Sequence, residues 1–327
     1  MTILVTGGAG YIGSHAVLAF RAAGYPVVVV DDLSAGRRDL LPEDVPLIIG
    51  NAGDQARVAR AIQAYRVDAV AHFAGSIIVP ESVELPLKYY ENNTCVSRSL
   101  IECCVTNGVP RFIFSSTAAV YGTPSKLPVS ETAPAQPESP YGHSKWMTEV
   151  VLRDTAAAHG LSYVALRYFN VAGADPEGRS GQCSRVSSHL IKLACQTALG
   201  RRAELSVFGD DYTTPDGTCV RDYIHVTDLA AAHVDALRYL ENGGASGVFN
   251  CGYGRGYSVK EVIAAVEQEI GRPLPTRPAP RRAGDPVSLV ADASALRRAC
   301  NWSPRCDDLR LIVRTALAWE RQLESLP

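Results

Sequence analysis

Apolar, β-branched runs recur along the first half of the chain at residues 3–6, 27–30, 47–49, 69–73, 112–115 and 163–167, with helical patterns between them. Runs without a polar alternation predict strands buried on both faces, and their alternation with helices predicts a doubly wound parallel α/β sheet. Small and polar residues cluster where these strands end: Gly7 and Gly10, Asp31, Asn51, Ala74 and Gly75, Ser115 to Thr117, and Tyr168 to Asn170. Ligands in such sheets gather at the strands' carboxyl ends, so these positions are the first candidates for chemistry.

After about residue 171 the texture changes to Gly- and Pro-rich loops with shorter apolar segments, which predicts a smaller C-terminal α/β lobe. Within it, 226–240 reads as a helix and 247–251 as a strand, both able to pack back on the sheet. Residues 273–286, rich in proline and arginine, read as a solvated linker, and 307–323 as a packing helix.

The first strand runs into Gly7, Gly10 and Gly13 at three-residue spacing and then into a helix. Glycines there let the backbone approach a pyrophosphate, and the helix N-terminus offers unpaired N–H groups and a positive dipole end. The second strand ends in Asp31, placed to accept ribose hydroxyls and to repel a 2′-phosphate, which favours NAD over NADP. Asp32 reads as a solvated loop acid; Arg37 and Arg38 lie further on. A glycine triplet alone also occurs for turn reasons, and its place in a strand-helix-strand unit makes the Rossmann reading.

The chain has 327 residues and a formal net charge of −2, which gives no reason to expect nucleic acid as a partner. It has no long apolar span and no leader pattern, so no membrane association and a cytoplasmic location are expected. The nine cysteines are scattered without a C-x-x-C pair, so neither a metal site nor a disulfide framework is indicated.

Tyr141 and Lys145 stand four apart, on one face of a helix, where the ammonium can favour the phenolate. A tyrosine with its ordinary pKa of ~10 is a poor base near neutrality. Thr117, with Ser116 as the alternative, supplies a hydroxyl at the end of the preceding strand. Such a Tyr-Lys pair also arises by chance in helices; beside the nucleotide motif it reads as a redox site.

The segments TGGAGYIGSH, HFAG, SSTAAVYG, YGHSK, LRYFN and VRDYIHVTDLA resemble the extended short-chain dehydrogenase/reductase superfamily. FGDDYTTPDGTCVRDYIHV and RRAGD narrow the resemblance to the UDP-glucose (UDP-galactose) 4-epimerase family, over nearly the whole chain. It implies an NAD-binding domain at 1–170, with 222–252 packing back onto it, and a UDP-sugar-binding domain at 171–327. It also implies a homodimer, paired through helices near 87–104 and 144–159.

By the same resemblance, Tyr141 takes the proton of a sugar 4-hydroxyl while bound NAD takes the hydride. Thr117 relays or orients the proton, and Lys145 lowers the tyrosine pKa and binds nicotinamide ribose. Cofactor contacts are implied at Gly7, Gly10, Tyr11, Ile12, Gly13, Asp31, Asn51, Ala52, Phe73, Ala74, Gly75, Asn92, Ser115, Tyr141, Lys145 and Tyr168. For substrate, Arg221 and Arg282 hold the pyrophosphate, Asp285 the uridine ribose, and Ser206 and Phe208 the uracil. Thr117, Asn170, His189, Leu190 and Tyr223 also touch substrate, and Leu289 stands where a bulky aromatic would exclude N-acetylated sugars. A surface salt bridge is the plain alternative for Arg282 and Asp285.

Three positions depart from the family pattern: Asn51 replaces an acid near the adenine, Ile77 a lysine after HFAG, and His189 a common asparagine. None touches the Tyr-Lys pair, so altered cofactor affinity is expected before altered reaction type. UDP-N-acetylhexosamine or UDP-pentose epimerisation would use the same machinery. A dehydratase would need carboxylates beside Thr117, where Ala118 and Ala119 stand. A catalytically silent NAD-binding protein is the non-enzyme alternative.

Overall fold

A computed structural model describes residues 1–184, 187–282 and 285–323. Its centre is a seven-stranded parallel sheet. The strands are β1 (Thr2–Thr6), β2 (Val27–Asp31), β3 (Leu47–Ile49), β4 (Val67–His72), β5 (Arg111–Thr117), β6 (Ser162–Tyr168) and β7 (Gly247–Cys251). Their order across the sheet is β7-β6-β5-β4-β1-β2-β3. The chain therefore winds one way from β1 and then the other, and the reversal between β1 and β4 opens a crevice at the carboxyl edge.

Alternate residues of each strand supply two separate cores. Ile3, Val5, Val27, Val29 and Ile113 face the helices Tyr11–Ala22 and Val226–Glu241 through Val17, Phe20, Leu229 and Leu237. Leu4, Val28, Val30, Phe112 and Phe114 face the opposite layer through Val58, Ile62, Leu100, Ile101 and Leu152. Burial on both faces is why these strands carry no polar alternation.

The second lobe is built on the strand Val220–His225. It pairs antiparallel with Gly256–Ser258 and parallel with Ser288–Leu289 and Asn170–Ala172. Residues 222–225 thus belong to this second sheet, and the return to the large sheet begins with the Val226–Glu241 helix and ends with β7 against β6. The segment 273–286 is not a plain linker. Its Thr276–Ala279 stretch is a strand that pairs in parallel with Leu205–Phe208. Among the described residues no helix is long and apolar enough to cross a membrane.

Candidate active site

The glycine turn divides its labour. A side chain on Gly7, whose φ is +68°, would stand 2.5 Å from the Ala74 backbone nitrogen, and one on Gly13 would stand 2.1 Å from the Gly7 carbonyl. These two glycines let β1, the helix and the end of β4 close on one another. Gly10 meets only the Gly7 carbonyl at 3.2 Å and is the residue that leaves the turn open. It begins the Tyr11–Ala22 helix with no side-chain cap, so the first-turn N–H groups face outward as an anion site.

Around that turn, the Tyr11 phenol donates to the Gly173 carbonyl at 2.7 Å, which leaves Tyr11 its backbone for a ligand. Asp31 is buried, and its carboxylate accepts from the Ala9 and Leu33 N–H groups at 2.9 and 2.8 Å. Burial raises its pKa, and each oxygen keeps a lone pair for a ribose hydroxyl. Arg37 is paired with Asp39, and Arg38 donates to the carbonyls of Leu41, Pro42 and Glu43. Asn51 is exposed and uses its side-chain oxygen on the Gly53 N–H at 2.7 Å, while Ala52 is buried. The open helix start and the buried acid at the end of β2 fit an adenine dinucleotide.

The Pro140–His159 helix starts where Ser139 accepts from the Gly142 N–H at 3.2 Å, with Pro140 in its first turn. That start places Tyr141 beside the end of β5. Burial raises the phenol pKa, and a hydrogen bond from the Thr117 hydroxyl pulls it back down. Lys145 is held against the end of β5. Its ammonium donates to the Ser115 carbonyl at 2.9 Å and lies 5.0 Å from the Phe114 ring centre, and burial pushes its pKa down to about 8.

The loop after β4 is held over this centre by residues the sequence did not single out. The buried Asn93 accepts from the Ser76 N–H at 2.7 Å and donates to its carbonyl at 3.0 Å, while Tyr89 brackets Ile78 and meets the Tyr141 ring edge-on at 6.4 Å. Asn92, the expected contact, donates to the Ser76 hydroxyl at 3.1 Å. The Tyr168 phenol is bonded to His233, against which Phe73 also packs. Asn93 lies in a π-helical turn, Tyr90–Cys95, which no sequence pattern announces.

One cavity of about 850 Å³ joins the Tyr141 centre to the second lobe. Thr117, Ser115, Ile12, Tyr141, Lys145 and Tyr168 line it, and so do Asn170, His189, Leu190, Ser206, Phe208, Arg221, Tyr223, Arg282, Asp285 and Leu289. Gly7, Gly10, Tyr11, Gly13, Asp31, Asn51, Ala52, Phe73, Ala74, Gly75 and Asn92 do not. Ile77, 52% exposed, stands at its wall with Val79 and Val83.

In the second lobe Arg221 pairs with Asp285 at 3.2 Å, and the Arg282 guanidinium lies 3.8 Å from the Phe208 ring centre. Among the described residues Asp285 is thus the ion-pair partner of Arg221, and its N–H donates to the Arg282 carbonyl at 3.3 Å. His189 begins the Leu190–Ala198 helix with no side-chain cap, its pKa lowered by burial and by the Lys192 charge. Lys192 is itself buried in an ion pair with Glu320, and both line the cavity, a pairing across the lobe that their sequence separation hides.

A profile of the NAD dependent epimerase/dehydratase family matches residues 3–252. The UDP-glucose 4-epimerase of Azospirillum brasilense is 58% identical over 322 residues, which cover 98% of this chain and 92% of that protein. Among solved structures, that of the Brucella ovis UDP-glucose 4-epimerase in complex with NAD has a TM-score of 0.94 at 44% identity, covering 97% of each chain. The Stenotrophomonas maltophila UDP-glucose-4-epimerase, with bound NAD and formylated UDP-arabinopyranose, has a TM-score of 0.96 at 40% identity, covering 99% of each chain.

Proposed function

The chain belongs to the NAD dependent epimerase/dehydratase family, and from that premise we propose that it interconverts UDP-glucose and UDP-galactose by inverting carbon 4 through a 4-keto sugar. The observation that carries the reading is one cavity in which Tyr141, Thr117 and Lys145 share the lining with Arg221, Arg282 and Phe208. Full-length similarity to UDP-glucose 4-epimerases supports the same substrate class.

When bound, NAD supplies the acceptor and then the donor of the hydride at carbon 4. The first turn of the Tyr11–Ala22 helix holds its pyrophosphate, Asp31 accepts from its adenosine ribose, and Lys145 holds the nicotinamide ribose. Residues 1–170 form the NAD-binding domain, with 222–252 returning toward it, and 171–327 the UDP-sugar domain.

Arg221 and Arg282 hold the substrate diphosphate, since a guanidinium can present two N–H groups to phosphate oxygens. Asp285 accepts from the uridine ribose, Ser206 and Phe208 flank uracil, and Asn170, His189, Leu190 and Tyr223 complete the wall. With that end held, the Tyr141 phenolate takes the 4-hydroxyl proton and Thr117 orients it. The keto sugar turns about its link to the held diphosphate, and Tyr141 returns the proton to the alkoxide on the inverted carbon.

A cytoplasmic homodimer completes the proposal. The faces near 87–104 and 144–159 leave Leu87, Cys95 and Met147 exposed, which supports pairing there.

The test is proton NMR of UDP-galactose, UDP-N-acetylgalactosamine and UDP-xylose, each incubated with purified protein and no added NAD. Appearance of UDP-glucose supports the reading, and the relative rates name the preferred sugar. No change in any of them, with NAD binding confirmed, sets the reading aside.

A further inference from the structure

Three consecutive residues at the end of β5 each hold one member of an evenly spaced row on the Pro140–His159 helix. Ser115 accepts from Lys145 through its carbonyl at 2.9 Å, the Thr117 hydroxyl shares the cavity lining with the Tyr141 phenol and lowers its pKa, and the Ser116 hydroxyl donates to the Glu149 carboxylate. Tyr141, Lys145 and Glu149 are four residues apart in turn, so they lie along one helix face, and the row spans about 12 Å.

Glu149 is the unexplained member. It is 5% exposed and does not itself line the cavity. Its carboxylate takes two guanidinium bonds from the buried Arg167 of β6, at 3.0 and 2.6 Å. Arg167 in turn lies 4.7 Å from the Tyr121 ring centre, and the Tyr121 phenol donates to Asn250 of β7 at 2.7 Å. One helix position is thus tied to three neighbouring strands, all near their carboxyl ends.

The geometry explains why that tie sits there. Phe112, Phe114 and Ser116 point to the sheet face that Leu152 covers, and Thr117 points to the other. The body of the helix packs under the first face, whereas its first turn must run past the sheet edge for Tyr141 to meet Thr117. A helix that crosses an edge in this way has its height and tilt set by the contacts along its buried face: Lys145 on the Ser115 carbonyl and Asn93 on Ser144 hold the turn next to Tyr141, and Glu149 is the charged anchor one turn further in. Burial of a charged pair is costly unless its lone pairs and protons are used, and here the carboxylate accepts one bond from Ser116 and two from Arg167.

We propose that Glu149, held by Ser116 and Arg167, is a positioning residue that fixes the Tyr141 phenol against the Thr117 hydroxyl. The inference rests on the 4-epimerase reading and adds a residue to it. Displacing a reacting group by about 1 Å can lower a rate by about 10²-fold, so the effect should fall on turnover and not on substrate binding.

The test compares Ser116→Ala and Glu149→Gln with the parent for kcat, KM and the pH dependence of kcat with UDP-galactose. The titration of Tyr141 is read beside them, as the ultraviolet difference from Tyr141→Phe. Ser116→Ala removes one hydroxyl and leaves the ion pair intact, so it guards against loss of the fold. The expected result is a kcat lowered about 10-fold in Ser116→Ala and about 10²-fold in Glu149→Gln, with KM within about twofold. In both, the acid limb of the profile and the Tyr141 titration move to higher pH, because the phenol is displaced from the Thr117 hydroxyl while it stays buried. Folded variants with the parental kcat, acid limb and titration overturn the inference. So does failure of both variants to fold, or a loss of kcat with no movement of the titration. An inactive parent would overturn the epimerase reading instead, and the Tyr141 titration would still decide the role of Glu149.

Discussion

The Lys145 ammonium is bonded to the Ser115 carbonyl, one helical turn from the Tyr141 phenol it was expected to serve. The two residues therefore fail differently when removed. Tyr141→Phe should lower kcat by about 10²- to 10⁴-fold while the purified protein keeps its NAD, because only the proton-transfer group is lost. Lys145→Ala should release NAD as well as lower kcat, because it removes the buried cation at the proposed nicotinamide end. Bound NAD measured in the protein as isolated, beside kcat, separates the two.

Arg282 lies over Phe208, so the proposed diphosphate and uracil subsites share one contact. Removing the guanidinium deletes charge-assisted bonds to phosphate oxygens and loosens the ring beneath. In Arg282→Ala the KM for UDP-galactose should rise about 10- to 100-fold, in line with about 1.5–3 kcal/mol for a charged hydrogen bond, and kcat should change little. Steady-state kinetics read both quantities.

Leu289 is 8% exposed and packs with Ala118, Phe169 and Ala291 at the wall of the cavity. A larger ring there would fill space beside the sugar. Leu289→Tyr should lower kcat/KM for UDP-N-acetylgalactosamine relative to UDP-galactose by about tenfold or more. Equal losses on both sugars would remove Leu289 from the control of specificity.

Burial holds four histidines neutral: it lowers the pKa of His15, His225 and His233 to about 4 and that of His72 to about 3. In the unfolded chain each titrates near 6.5, so below that pH the unfolded state binds more protons and stability falls. The stability these groups contribute is complete above pH ~6.5 and is lost as pH drops through their folded values. Each contributes a slope of about 1.4 kcal/mol per pH unit within that window. Thermal unfolding followed from pH 7 to pH 4.5 should show a steep fall in Tm beginning near pH 6.5. A flat Tm across that range would contradict the buried neutral state.

Much of this arrangement was legible because local chemistry encodes it. The unbroken apolar runs of β1, β2 and β4 follow from burial on both faces, and Tyr141 and Lys145 declare their shared face by spacing alone. What stayed hidden depends on contacts between distant segments. Asp285 turned out to pair with Arg221, and the proline-rich stretch before it turned out to contain a strand, because both depend on where the 205–208 and 220–225 segments lie. Asn93 is invisible for another reason: a π-helical turn aims it at Ser76, and residue type does not announce that turn. Ser116 and Thr117 were rivals as neighbours in sequence, and the alternation of a strand sends them to opposite faces.

The most direct measurement follows a label at the inverted carbon. UDP-galactose carrying deuterium at carbon 4 is incubated with the protein as purified, with no NAD added, and the product is read by NMR and mass spectrometry. The account predicts UDP-glucose with the deuterium still on carbon 4, since the hydride leaves and returns within one closed site while Tyr141 exchanges only the hydroxyl proton. UDP-glucose that has lost the label to solvent, or no conversion from protein with NAD bound, would contradict it.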